Sequence, residues 1–150
     1  MSGMSGAWND TDCKVNQRYI CERSLCETGW LGYQDNCYYF SKIGERKSWY
    51  AARAYCREKN AHLAIIRDIN ERTWVESQLG HTGYWIGLTD MSGEGKWTWL
   101  DGTPLKKDLA NWRRGEPNNR KGNEDCGEIA PGGWNDHSCR RRRGYICKRY

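Results

Sequence analysis

Apolar residues fall into short blocks separated by polar, turn-rich stretches, and their period changes along the chain. From Ser48 the positions Trp49, Ala52 and Cys56 recur at helical spacing with good helix formers between them. This predicts an amphipathic helix from about Ser48 to Lys59 with Cys56 toward the core. The same period returns after Asn70, where Trp74, Val75 and Leu79 share a face and Gly80 supplies a stop, predicting a second helix with Asn70 as its N-cap. Leu63 to Ile66, between the two, reads as a short buried strand. Upstream, Gly29-Trp30-Leu31-Gly32-Tyr33 leads through a turn-rich stretch into the aromatic strand pattern Cys37-Tyr38-Tyr39-Phe40. Beyond Gly80 the blocks are strand-like: Tyr84 to Leu88, Lys96 to Leu100, Cys126 to Ala130 and Gly144 to Lys148. Much of 101–125 is polar loop, and long loops inside a compact domain are usually functional. Helices early and strands mostly late give an α+β order.

Cysteine content places this fold outside the reducing compartments. Eight cysteines in 150 residues require either metal or disulfides. No Cys-x2-Cys pair occurs, and His62, His81 and His137 are scattered without zinc spacing. Disulfides follow, and with them a secreted or cell-surface setting, although eight cysteines allow about 105 connectivities. The length suits one ordinary domain. Nine Trp and nine Tyr stand against one Phe, rings that pack while keeping a polar tip hydrogen-bonded. Most of the Trp are expected as core and turn anchors, Trp97 and Trp99 included.

The net charge of +5 comes largely from Arg113-Arg114, Arg120-Lys121 and Arg140-Arg141-Arg142-Arg143. A solvated basic face is the ordinary reading; affinity for sulfated or sialylated glycans is the sharper one. No nucleic-acid motif accompanies the charge, so nucleic acid is not an expected partner. No apolar run approaches the roughly 20 residues of a membrane span, and no membrane contact is expected of this segment. Met1-Ser2-Gly3-Met4-Ser5-Gly6 looks like an expression leader.

The chain also repeats itself. Trp8-Asn9-Asp10, Cys13 and Tyr19-Ile20-Cys21 recur as Trp134-Asn135-Asp136, Cys139 and Tyr145-Ile146-Cys147, every pair separated by the same 126 positions (Trp8 to Trp134, Cys13 to Cys139, Cys21 to Cys147). Residues 1–25 are therefore expected to combine the leader with the tail of a preceding copy of the domain, as in a tandem array; a fused strand from a related protein is the alternative. Asn9-Asp10-Thr11 fits an N-glycosylation pattern.

Near the end, Glu116-Pro117-Asn118, Glu124-Asp125 and Asn135-Asp136 gather carboxylates and amides within about twenty residues. Calcium takes six to eight oxygens from such groups, so this stretch reads as a calcium site. Together with Trp85-Ile86-Gly87-Leu88, Cys126, Trp134 and Tyr145-Ile146-Cys147, these motifs make residues 26–150 resemble a C-type lectin-like domain. The resemblance implies two helices beside a small antiparallel sheet with a long calcium-carrying loop. It implies the pairs Cys26–Cys37, Cys56–Cys147 and Cys126–Cys139, leaving Cys13 and Cys21 in the repeat fragment. It also implies a cis peptide before Pro117.

By the same resemblance Glu116, Asn118, Glu124, Asn135 and Asp136 hold the primary calcium and the sugar. Asp90, Glu94, Asn119, Glu124 and Asp125 correspond to an auxiliary calcium site, where the neutral Asn119 replaces an acid common in the family. The Glu-Pro-Asn order goes in the family with mannose, fucose and N-acetylglucosamine, so mannose-class glycans on glycoproteins or microbial surfaces are the expected partners. Glycan or pathogen recognition and endocytosis, in innate immunity, are the expected settings, as in tandem-domain receptors of the macrophage mannose receptor type. One shallow site binds weakly, so oligomers or tandem repeats are expected to supply avidity. A protein-binding receptor domain of the same fold is the competing expectation. No catalytic constellation is spaced for chemistry, and an enzyme is not expected.

Overall fold

The computed structural model describes residues 26–80, 82–119 and 122–150. The repeat fragment, its Cys13 and Cys21, the glycosylation pattern at Asn9, and Arg120 and Lys121 lie outside the described residues. The chain divides into two units, one ending at Gly32 and one covering Tyr33–Tyr150.

In chain order the elements are β1 (Leu31–Tyr33), β2 (Asn36–Phe40), α1 (Trp49–Glu58), β3 (His62–Leu63), α2 (Ile69–Ser77), β4 (Tyr84–Thr89), β5 (Thr98–Trp99), β6 (Cys126–Ala130), β7 (Gly133–His137) and β8 (Gly144–Arg149). Helix α1 forms as expected. The Ser48 side chain accepts from Ala51 N, and Trp49, Ala52 and Cys56 are its buried positions. Helix α2 begins earlier than expected, because Asp68 rather than Asn70 is its cap, with the carboxylate accepting from Glu71 N. Glu71 in turn reaches back to Arg67 N at 2.7 Å. Asp68-x-x-Glu71 thus caps the helix reciprocally, outcompeting Asn70. Val75 is buried and Trp74 and Leu79 pack against the core, as their spacing required.

Strands run β7-β6-β4-β8-β2 across the second unit, with β3 paired to β8 and β5 to β4. Every pairing is antiparallel except β8 with β4. Two strands are shorter than their apolar runs. Ala64 to Ile66 continue beyond β3 as buried extended chain, with Ala64 accepting from Gly87 N and donating to Ile146 O. Only Thr98–Trp99 of the 96–100 run is strand, since Trp97 O and Trp99 N pair with Leu105 and Thr103 across a local turn. Strand β7 is an element that the pattern of hydrophobicity did not predict.

Trp49, Trp85, Trp97, Trp99 and Trp134 are buried, so Trp97 and Trp99 are core residues, as expected. Disulfides join Cys56 to Cys147 and Cys126 to Cys139, and Cys26 and Cys37 are both disulfide-bonded. The first ties α1 to β8; the second closes the base of the β6–β7 hairpin. Lys148, fully buried on β8, sets its ammonium 2.6 Å from the Glu71 carboxylate and donates to Ile65 O at 2.8 Å. Among the described residues no helix is long and apolar enough to cross a membrane.

Candidate functional site

Strand β7 is the rail on which the carboxylate loop is mounted. It turns back from β6 through Pro131 and Gly132, the latter at φ +92°. On its free side the chain at 111–113 runs along it, Trp134 N donating to Asn111 O and Arg113 N to Trp134 O, both at 2.8 Å. Gly133 permits that approach. At φ +128° a Cβ there would lie 2.9 Å from the backbone of Arg113, closer than packed atoms come.

The loop then returns to the same strand. Glu116 N donates to Arg113 O, the Glu116–Pro117 peptide is cis, and the amides of Asn118 and Asn119 donate to the two oxygens of Asp136 at 3.1 and 2.6 Å. Asp136 is fully buried and accepts both. Asn118 also donates from its side-chain amide to Glu116 at 3.3 Å. Burial raises the Glu116 pKa above the ordinary carboxylate range, and the neighbouring Asp136 and Glu124 charges add to it. One oxygen of Glu116, Oε1, is buried without a hydrogen-bond partner. Glu124 lies with Oε2 at 3.8 Å from His137 Nδ1. Asn135 sits opposite Glu128 across the hairpin, and its side chain favours the ionised Glu128 carboxylate against the burial that raises its pKa. Of the five residues assigned to a primary site, Glu116, Asn118 and Asp136 are brought together, Glu124 adds its charge to Glu116, and Asn135 lies next to Asp136 on β7, facing Glu128.

Beside them, Asp90, Glu94 and Asp125 each offer a carboxylate oxygen within 4.8 Å of one another. Asp90 is nearly fully buried; Gly95 N donates to its Oδ2 at 2.9 Å, while Oδ1 has no hydrogen-bond partner. Burial raises the pKa of both Asp90 and Asp125, and each is raised further by acidic neighbours, Glu94 beside Asp90 and Asp90 beside Asp125. The other two residues assigned to this second set behave differently. The Asn119 side-chain oxygen accepts from Glu124 N at 3.0 Å, and its own backbone is left-handed at φ +45°. Asn119 therefore bridges Asp136, through its backbone amide, and Glu124, through its side-chain oxygen.

Crowded carboxylates, each group with a buried oxygen lacking a partner, form an all-oxygen donor set that fits a hard divalent cation of the calcium type. Sequence reasoning did not single out Glu128, His137 or Arg143, which stand directly behind these ligands. The turn Pro131-Gly132 was the available signal. Once β7 is recognised as a strand, alternation puts Asn135 and His137 on one face, opposite Glu128.

The Lectin C-type domain family matches residues 45–149. Human C-type lectin domain family 17, member A is 39 % identical over 161 aligned positions, covering 99 % of this chain and 41 % of that protein. The chain spans less than two thirds of the length of the curated relatives it matches. Among solved structures, the carbohydrate-recognition domain of mouse scavenger receptor C-type lectin is 36 % identical with a TM-score of 0.75, covering 83 % of this chain and 95 % of that one. The cow CD23 carbohydrate-recognition domain, solved in the presence of a GlcNAc2Man3 oligosaccharide, is 34 % identical with a TM-score of 0.76 and the same coverage. The chain belongs to the C-type lectin domain family, a family of carbohydrate-binding lectins.

Proposed function

We propose that this domain binds mannose-class sugars in a calcium-dependent manner. The observation that carries the reading is the Glu116-Pro117-Asn118 segment, docked on Asp136 with the Glu116 Oε1 atom buried and unpartnered. Glu116, Asn118, Glu124, Asn135 and Asp136 would hold the ion, with Asp90, Glu94 and Asp125 as a second oxygen set to which Asn119 and Glu124 add. Calcium supplies open coordination positions that two neighbouring sugar hydroxyls can fill. The protein's part is hydrogen bonding. Carboxylates only accept, so Glu116 and Glu124 accept hydrogen bonds from the hydroxyls, whereas the amides of Asn118 and Asn135 donate to hydroxyl oxygens. That acceptor and donor order suits an equatorial hydroxyl pair. The oligosaccharide present with the cow CD23 domain, which contains mannose and N-acetylglucosamine, agrees with this class.

A glycan array with calcium and again with chelator tests the reading. Chelator-sensitive signal on mannose-class glycans is expected; absence of signal under both conditions would favour a protein partner. The double substitution Glu116→Gln, Asn118→Asp reverses donor and acceptor positions and is expected to move preference toward galactose. An unchanged order of competition by mannose and galactose would defeat that expectation.

A further inference from the structure

Behind the proposed ligands, one guanidinium touches two groups that each face a different ligand. Arg143 precedes β8, and its backbone is fixed by reciprocal bonds with Lys47, N to O at 2.9 Å in both directions. Its Nη2 lies 2.6 Å from His137 Nε2. A guanidinium can only donate, so Nε2 is the acceptor and the imidazole proton belongs on Nδ1. Nδ1 is the atom that faces Glu124 Oε2 at 3.8 Å. Ser138 N–H also points at Nδ1, at 3.2 Å, so two donors compete for the one acceptor of a neutral imidazole, and the shorter, charged approach of Arg143 favours Nε2. The edge of the Trp85 ring holds the imidazole from the side, 6.4 Å between centroids at 82°.

The second arm of Arg143 is Nε, 3.1 Å from Glu128 Oε1. Neither atom has a hydrogen-bond partner, so the contact is an ion pair and not an aligned hydrogen bond. Glu128 is almost fully buried and lies over Gly83, where a Cβ would come within 2.5 Å of its Oε1. Asn135 is its partner directly across the hairpin, and the Asn135 side chain favours the ionised form of the Glu128 carboxylate.

We propose that Arg143 is the positioning residue of the calcium and sugar site, setting Glu124 through His137 and Asn135 through Glu128. The inference rests on the proposed calcium-dependent function for its affinity readouts and on the fold alone for its tautomer. Nothing in the Arg143 position touches sugar or ion directly. Its effect is to fix which atoms two ligands present, the service that partners behind metal ligands give elsewhere.

Nitrogen-15 NMR of the histidines in metal-free protein near neutral pH reads the first arm. His137 is expected as the Nδ1–H tautomer, shifting toward Nε2–H in Arg143→Gln; an Nε2–H tautomer in the unsubstituted protein overturns the proposal. Calorimetric calcium titration reads both arms together. Arg143→Gln is expected to weaken calcium about tenfold or more. Arg143→Lys should fall between, because a single ammonium does not span His137 and Glu128. Arg143→Gln combined with Glu128→Gln should cost less than the two singly, because they cut the same path. Calcium affinity within about twofold of the parent in Arg143→Gln, or additive costs in the double variant, would overturn the assignment. If the parent binds calcium but no mannose-class glycan, the sugar reading fails while these titrations still decide the proposal. If it binds no calcium, the tautomer decides it. Should Arg143→Gln fail to fold, Arg143→Lys and the parent tautomer remain decisive.

Discussion

Glu71 and Asp90 are both buried acids, and they are treated in opposite ways. Glu71 lies between α2 and β8 with an ammonium at 2.6 Å, a tyrosine hydroxyl and a backbone amide all donating to it. Asp90, at the end of β4, has one backbone donor, an unpartnered oxygen, and two further carboxylates for neighbours. Around Glu71 the electrostatics close within the protein. Asp90 and Glu116 each keep a buried oxygen without a hydrogen-bond partner, the position that the proposed calcium would fill. Stability and binding are thereby assigned to different regions, and variants should separate them.

The largest expected effect is on the closed side. Lys148→Met leaves Glu71 buried without its cation and is expected to cost about 3–5 kcal/mol, read by urea unfolding in chelator. Calcium affinity of the folded fraction should stay within about twofold. A stability loss that brings a parallel loss of calcium affinity would mean that the two regions are not separate. Removing the Cys126–Cys139 bond by serine substitution at both positions comes next, at about 3 kcal/mol for a loop of this size in the chain-entropy account. Because that bond closes the hairpin carrying Asn135 and Asp136, calcium binding should weaken as well. Unchanged calcium affinity would show that the hairpin holds its register without the staple.

Acidity should give the smallest change, about tenfold in calcium affinity per pH unit for each coupled proton. Glu116, Asp90 and Asp125 have folded pKa values raised above those of an unfolded chain. Such groups destabilise the metal-free fold above their folded pKa, and that cost is relieved as pH falls through it. Calcium must displace the same protons, so its affinity is expected to fall on the acid side of neutrality. An affinity that is flat between pH 7 and 5 would show that these acids are already ionised before calcium arrives.

Where periodicity and capping chemistry acted alone, the sequence was a faithful guide. Trp49, Ala52 and Cys56 predicted the buried face of α1, and Ser48 its cap. Order along the chain was enough to recognise the family, because several short motifs keep their spacing. What escaped depended on contacts between distant segments. Asp68 capped α2 in place of Asn70 because Glu71 completed the reciprocal pair. Strand β7 contains Asn135, Asp136 and His137, polar residues that carry no strand signal in isolation, and only its pairing with Cys126–Ala130 makes it a strand. Lys148 occupies a position that alternation marks as core, and a lysine there makes sense only once Glu71 is seen across from it. The resemblance grouped Glu116, Asn118 and Asp136, but the docking of the Asn118 and Asn119 backbone amides on Asp136 was invisible, since it is a matter of main chain finding a carboxylate.

Cys37 on β2 lies opposite Arg149 on β8, so the start of the second strand and the end of the last run side by side. Strand β7, the mount of the proposed sugar site, is three strand positions from β8 and four from β2, the latter roughly 19 Å across the sheet at normal strand spacing. The start of β2 and the end of β8 thus lie together, with strands β4 and β6 between them and the proposed sugar site.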